Sequence, residues 1–143
     1  MNVMKFDELC DEVLEIDDIQ SISIINKMGR AVEKKSRNGI EIVDGKKNEM
    51  LMMQSVLIMS MGRDFDEDFG EIEYVHMQRK NLSMLSLPLD GHIVFIASKT
   101  TLGLMRILKR LAVLGVVALP EQSKIIKSTK KQNTIAEIMM PIQ

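Results

Sequence analysis

Two stretches of the chain come close to the spacing of known ligand loops. Residues 39–47 read Gly-Ile-Glu-Ile-Val-Asp-Gly-Lys-Lys. A phosphate-binding P-loop has four residues between its glycines and a Ser or Thr after the Lys. Here five residues separate Gly39 from Gly45, and Lys47 stands in the metal-coordinating place. Nucleotide binding is therefore not expected. Asp64, Asp66 and Asp68 alternate, with Gly70 following. A calcium loop of the EF-hand kind needs Gly sixth and Glu twelfth. The sixth residue is Phe69 and the twelfth Val75, so an acidic, solvated loop is the better reading.

The remaining chemistry-bearing residues are few. His76 and His92 are the only histidines, and neither has a Cys or His partner at metal-ligand spacing. Cys10 falls on an apolar helical stripe, where an inert buried thiol is the default. No activated nucleophile is paired with a base, so the chain is not expected to be an enzyme. Only a hydrolase built on Asp and Glu alone stays compatible with this inventory. No metal and no cofactor is expected.

The bulk properties narrow the class. The chain has 143 residues, 45% apolar and 27% charged, with a net charge of −1. That suits one globular domain with a core needing no disulfides or metals. A near-neutral chain with 3% aromatic residues and no Trp offers no base-stacking surface, and no nucleic-acid partner is expected. No apolar run reaches the ~18 residues of a membrane span, so direct membrane insertion is not expected. A single Cys and no signal-peptide pattern point to the cytoplasm.

The elements that must position these residues follow from periodicity. Phe6, Leu9, Cys10, Val13 and Leu14 recur at helical spacing, with an acidic outer face of Asp7, Glu8, Asp11, Glu12 and Glu15. Residues 19–25 are β-branched and read as a strand. Gly29 lies in the turn to a charged edge strand over 31–35. Arg37-Asn38-Gly39 is a second turn, and Asp44-Gly45 a further break. Residues 49–61 form a helix with Gln54, Ser55 and Ser60 as its only polar interior positions. These fall on separate sides of the wheel, so no polar face exists, and such a helix must be covered all round.

Gly62 is expected to end that helix at its C′ position, ahead of an acidic loop over 63–70. Residues 71–79 and 82–89 read as the third and fourth strands. Asp90-Gly91 is the strongest hairpin signal in the chain. Residues 93–97 are continuously apolar, as in a central strand buried on both faces. Ser98 to Thr101 offer N-caps for a helix over 102–114 whose outer face carries Arg106, Lys109 and Arg110. The acidic first helix and the basic last one would neutralise each other side by side on one sheet face. After Gly115 the pattern weakens into a tail holding Lys124, Lys127, Lys130 and Lys131.

The order is α-β-β-α-β-β-β-α plus a C-terminal extension. The fold class is α+β, an α/β sandwich of a five-stranded antiparallel sheet with helices on both faces. Residues 1–114 would form the domain and 115–143 a basic extension, removable without unfolding the domain.

This order resembles the roadblock-type domain, the dynein light chain roadblock family of the profilin-like and longin-like folds. The family's last hairpin ends in an apolar strand, a short polar turn and Asn-Leu-Gly-Leu, followed by Arg. Here Ile93-Val94-Phe95-Ile96-Ala97 leads to Thr101-Leu102-Gly103-Leu104-Met105-Arg106, with Thr101 in place of the Asn. The first hairpin with Gly29 and the apolar middle helix also fit, so the similarity covers roughly residues 5–114. The resemblance implies a dimer of like domains with the middle helices facing each other, a regulatory or scaffolding role, and no cofactor. Members assist small Ras-like GTPases, tether them to membranes, or serve as light chains of motors.

The expectation is thus a homodimeric roadblock-like scaffold binding a small Ras-like GTPase or another protein. The alternative is a profilin-like sensory or ligand-binding module, whose Met-rich surface would line a pocket between helix and sheet. On the middle helix, Met50, Leu57 and Met61 share one side, and Met52, Val56 and Met59 the other. The second side has only Ser60 near its edge. It is expected at the dimer interface, through Met52, Met53, Val56, Met59 and Ser60.

Overall fold

The computed structural model describes residues 5–116. The basic extension expected beyond Gly115 lies outside the described residues from 117 on. Helix α1 (Phe6–Leu14) is followed by β1 (Ile19–Ile25) and β2 (Ala31–Ser36). Helix α2 (Gly45–Gly62), a one-turn helix α3 (Asp66–Phe69), β3 (Val75–Gln78), β4 (Ser83–Leu89), β5 (His92–Ser98) and α4 (Thr101–Val113) complete the chain. The strands form one antiparallel sheet in the order β2-β1-β5-β4-β3.

The continuous apolar run lies at the centre of this sheet, as its lack of alternation requires. Alternate residues of β5 face opposite sides. Val94 and Ile96 join Ile22, Ile24, Leu85 and Leu87 under α1 and α4. Ile93, Phe95 and Ala97 join Ile25 and Met84 under α2. The first and last helices therefore share a face, packing Leu9 and Val13 with Leu104, Ile107 and Leu111. Their charges meet as expected: Arg110 lies 2.8 Å from the Glu15 carboxylate and 3.7 Å from that of Glu12.

Turn chemistry sets the registers. Asp90 and Gly91 both take positive φ, 49° and 75°, the mirror-image turn whose twist matches the flanking strands. At the first hairpin, Asn26 accepts hydrogen bonds through Oδ1 from the Met28 and Arg30 amides. Arg37, in the turn after β2, reaches back across the sheet. Its Nη2 donates to the Leu14 and Ile16 carbonyls and its Nε to that of Ile19. It thereby satisfies carbonyls left open where α1 ends.

Four boundaries differ from the sequence reading. Asp44-Gly45 is the start of α2 and not a break before it, because the Asp44 carboxylate accepts from the Lys47 amide as an N-cap. Gly62 does not end the helix in a left-handed conformation; Arg63 behind it is still helical. The end of the Ile72 side chain lies where a Cβ on Gly62 would sit. Residues 63–70 are a 3-10 turn (Arg63–Phe65) and α3, not an open loop. The third strand begins at Val75, four residues later than expected. In the register Val75↔Ser86, Glu73 would oppose Pro88, which has no N–H to give.

Candidate interaction surface

Helix α2 packs on the sheet through an apolar seam that contains one polar contact. Met52, Ser55 and Met59 turn inward to the sheet. Ser55 and Ser86 share a hydrogen bond of 2.9 Å between their hydroxyls. That bond removes the cost of burying either one, so a serine sits on the inward face without penalty. The seam is otherwise closed by Met84, Phe95, Leu51 and Val56. Beneath the middle of the helix, beside Ser55 and Ser86, the void left is about 20 Å³.

This reverses the expected choice of face. Met52 and Met59, assigned to a dimer interface from sequence, are spent in the chain's own core. Val56 is half-buried against the same cluster. Met53 and Ser60 do remain exposed. The side turned to solvent is the other one, with Met50 71%, Leu57 54% and Met61 70% exposed. Met53 flanks it, lying over the first hairpin where Gly29 leaves room for its methyl group.

The apolar surface continues past the end of the helix. Phe65 and Phe69 stack with ring centroids 6.3 Å apart, and both are exposed, Phe69 by 85%. Acids surround them: Asp64, Asp66, Glu67 and Asp68. Tyr74 is exposed just before β3. Among the described residues strand β3 hydrogen-bonds only β4, so the opposite side of its backbone is an open sheet edge there. Exposed large apolar side chains gathered this way are a candidate interaction surface.

The residues examined for catalysis are dispersed. Cys10 is fully buried in the α1 core, and burial pushes its thiol up to about 12. His92 Nδ1–H donates to the Asp90 carbonyl at 2.9 Å, and its ring meets Phe6 edge-on with centroids 5.0 Å apart. His76 is exposed on β3, across the sheet from Cys10. Among the described residues no group of three or more His, Cys, Asp or Glu is placed to hold a metal ion. Nor is any helix there long and apolar enough to cross a membrane.

Comparison of the chain with protein-family models and with curated protein sequences gave no match. Solved structures do match. The chain superposes on the Roadblock/LC7 domain from Streptomyces avermitilis with a TM-score of 0.55 at 13% identity, covering 78% of this chain and 97% of that one. Myxococcus xanthus MglB gives 0.56 at 14% identity, covering 90% and 99%. An MglB described in a tetrameric arrangement gives 0.56 at 9% identity, covering 74% and 81%. The chain has the roadblock-type fold.

Proposed function

We propose that the protein is a non-catalytic, homodimeric scaffold or regulator that pairs through the outer face of α2 and the free edge of β3. The observation that carries this reading is the outward apolar set of Met50, Met53, Leu57 and Met61. Four large side chains, each contributing about 1.5–3 kcal/mol when fully buried, supply roughly 6–12 kcal/mol. Association costs about 4–15 kcal/mol in lost freedom. The set therefore roughly offsets that cost, and strand pairing at β3 supplies the surplus. A two-fold arrangement sets each helix against its own copy. The tetrameric MglB neighbour is in keeping with self-assembly of this fold.

The partner of the dimer is proposed to be a small Ras-like GTPase or another protein, on the ground that roadblock-type domains serve such partners. The rival small-molecule reading in its enclosed form needs room beneath the middle of α2, and beside Ser55 and Ser86 only about 20 Å³ remains, little more than one water. Light scattering at tens of micromolar should give twice the chain mass with no partner present. A clean monomer mass would overturn the homodimer.

A further inference from the structure

A second surface is built for charge. At the N-terminal end of α2 the structure holds an open cleft of about 730 Å³. Four cations line it, Lys47, Arg79, Lys80 and Lys99, and among the described residues no acid does. They come from separate parts of the chain: the first turn of α2, the β3–β4 turn, and the link from β5 to α4. In a chain of net charge −1, that is a concentrated positive field. None of the four is ion-paired among the described residues. Two carboxylates close to these elements, one three residues before Lys47 and one whose backbone carbonyl accepts from the Lys99 amide, are engaged elsewhere. Asp44 caps α2, and Asp18 accepts from the Thr100 hydroxyl.

Two further observations point inward from the rim. Gln20 also lines the cleft, and its Nε2 is buried with no hydrogen-bond partner. It sits at the irregularity in the β1–β5 ladder, where Ile19 opposes Ser98 but Ser21 opposes Ala97. Such bulges re-aim a side chain. An unsatisfied buried donor is costly and asks for an acceptor. The floor, in contrast, is apolar, formed by Ile42, Leu51 and Met84 among others. Cations at the rim, an amide donor and a greasy floor are the makings of a small-ligand site.

We infer that this cleft binds an organic phosphate with an apolar portion, the phosphate held by Arg79 and the lysines and the apolar part resting on Ile42 and Met84. Phosphate suits it better than a single carboxylate, because Arg forks onto two oxygens and the lysines add point charges around the rest. The cleft does not overlap the outward apolar set of α2.

Dihexanoyl phosphatidic acid, inorganic phosphate, and phosphatidylcholine vesicles with and without phosphatidic acid are the probes. Amide NMR on the whole chain should show the short-chain phosphatidic acid shifting the Gln20 side-chain amide and the Asn81 and Leu82 backbone. Inorganic phosphate should bind at least about tenfold more weakly, lacking the apolar part. Lys80→Glu and Lys99→Glu should each weaken binding by about tenfold or more, while Lys109→Glu on α4 leaves it unchanged. Binding of the soluble form assigns the site to a free metabolite. Binding only of the phosphatidic-acid vesicles, with the same dependence on Lys80 and Lys99, assigns it to a lipid headgroup. Silence at Gln20 and Asn81 with every probe, or equal weakening by Lys109→Glu, would overturn the inference.

Discussion

The Ser55 and Ser86 hydroxyls lie 2.9 Å apart in the buried seam between α2 and β4. Among the described residues each is the other's side-chain partner, and the pair lets the face that carries Ser55, with Met52 and Met59, lie against the sheet. Removing one leaves the other's hydroxyl stranded. Ser55→Ala and Ser86→Ala should each lower the unfolding free energy by about 1–2 kcal/mol. The double substitution should cost less than the two single losses added together. Urea unfolding of the four proteins measures this coupling, and strict additivity would show that the bond contributes nothing.

Gly103 tests the turn that resembles the roadblock motif. A Cβ there would strike the Ser98 hydroxyl and come within 2.9 Å of the Asp18 Cβ. Both neighbours are fixed: Ser98 accepts from the Thr100 amide and donates to the Thr100 carbonyl, and Asp18 is tied to Thr100. Gly103→Ala should therefore destabilise by about 1–3 kcal/mol despite alanine's better helix propensity. Thr100→Ala, which removes the cap bonded to the Gly103 amide, should cost about 1 kcal/mol. Thermal unfolding of both variants is the measurement, and a stabilised Gly103→Ala would refute the close packing.

Much of the fold is legible in the residues themselves. The stripe through Phe6 and Val13, the apolar run of β5, and Asp90-Gly91 each have one physical solution. The complementary faces of α1 and α4 do too, and Arg110 meets Glu12 and Glu15. The site was harder to read, because a helix without a polar face carries no orientation signal. The partner that lets Ser55 face inward is Ser86, on a strand 31 positions away. The Asp44 cap was readable, since Asp before a helical run is an N-cap signal. The role of Arg37 was not, because its acceptors lie 18 to 23 residues back in the chain.

Arg37 makes three hydrogen bonds to the carbonyls of Leu14, Ile16 and Ile19. Its charge and forked geometry suit the negative end of α1. Arg37→Ala should cost about 2–3 kcal/mol. Arg37→Lys should recover little of it, since one ammonium cannot span three carbonyls. Hydrogen exchange should show the loss concentrated in the last turn of α1. Full recovery by lysine would mean that charge alone matters.

Burial raises the Cys10 thiol from its ordinary value near 9 to about 12. At pH 8 the folded protein should not react with a disulfide reagent until it unfolds. The raised value also sets the sign of a pH effect. Below pH 9 both states keep the proton, so stability does not depend on this group. Above it the unfolded chain ionises first, so stability falls as pH rises from about 9 towards 12, by on the order of 1 kcal/mol per unit. Lys35, raised by its hydrogen bond to Asp11, acts in the same direction. Cys10→Ala should flatten the alkaline slope without abolishing it. An unchanged slope would remove the thiol from the account.

The two sides of α2 make opposite predictions for a single carboxylate. Val56 is half-buried and packs with the core beneath the helix. Val56→Asp should replace an apolar contact with the cluster of Met59 and Ile93 by a charge, and destabilise the fold itself. Leu57 is one position on and 54% exposed in the single chain. Leu57→Asp should leave the protomer folded, because its side chain reaches water there. In a two-fold dimer the same carboxylate would be buried beside its mate, and breaking such an interface costs about 3–5 kcal/mol. That corresponds to a loss in dimer affinity of more than about a hundredfold. Leu57→Asp should thus run as a soluble monomer with an intact circular dichroism spectrum. Its unfolding midpoint should no longer depend on protein concentration, as a dimer's must. A Leu57→Asp protein that still scatters light at the dimer mass would move the interface off this face of α2.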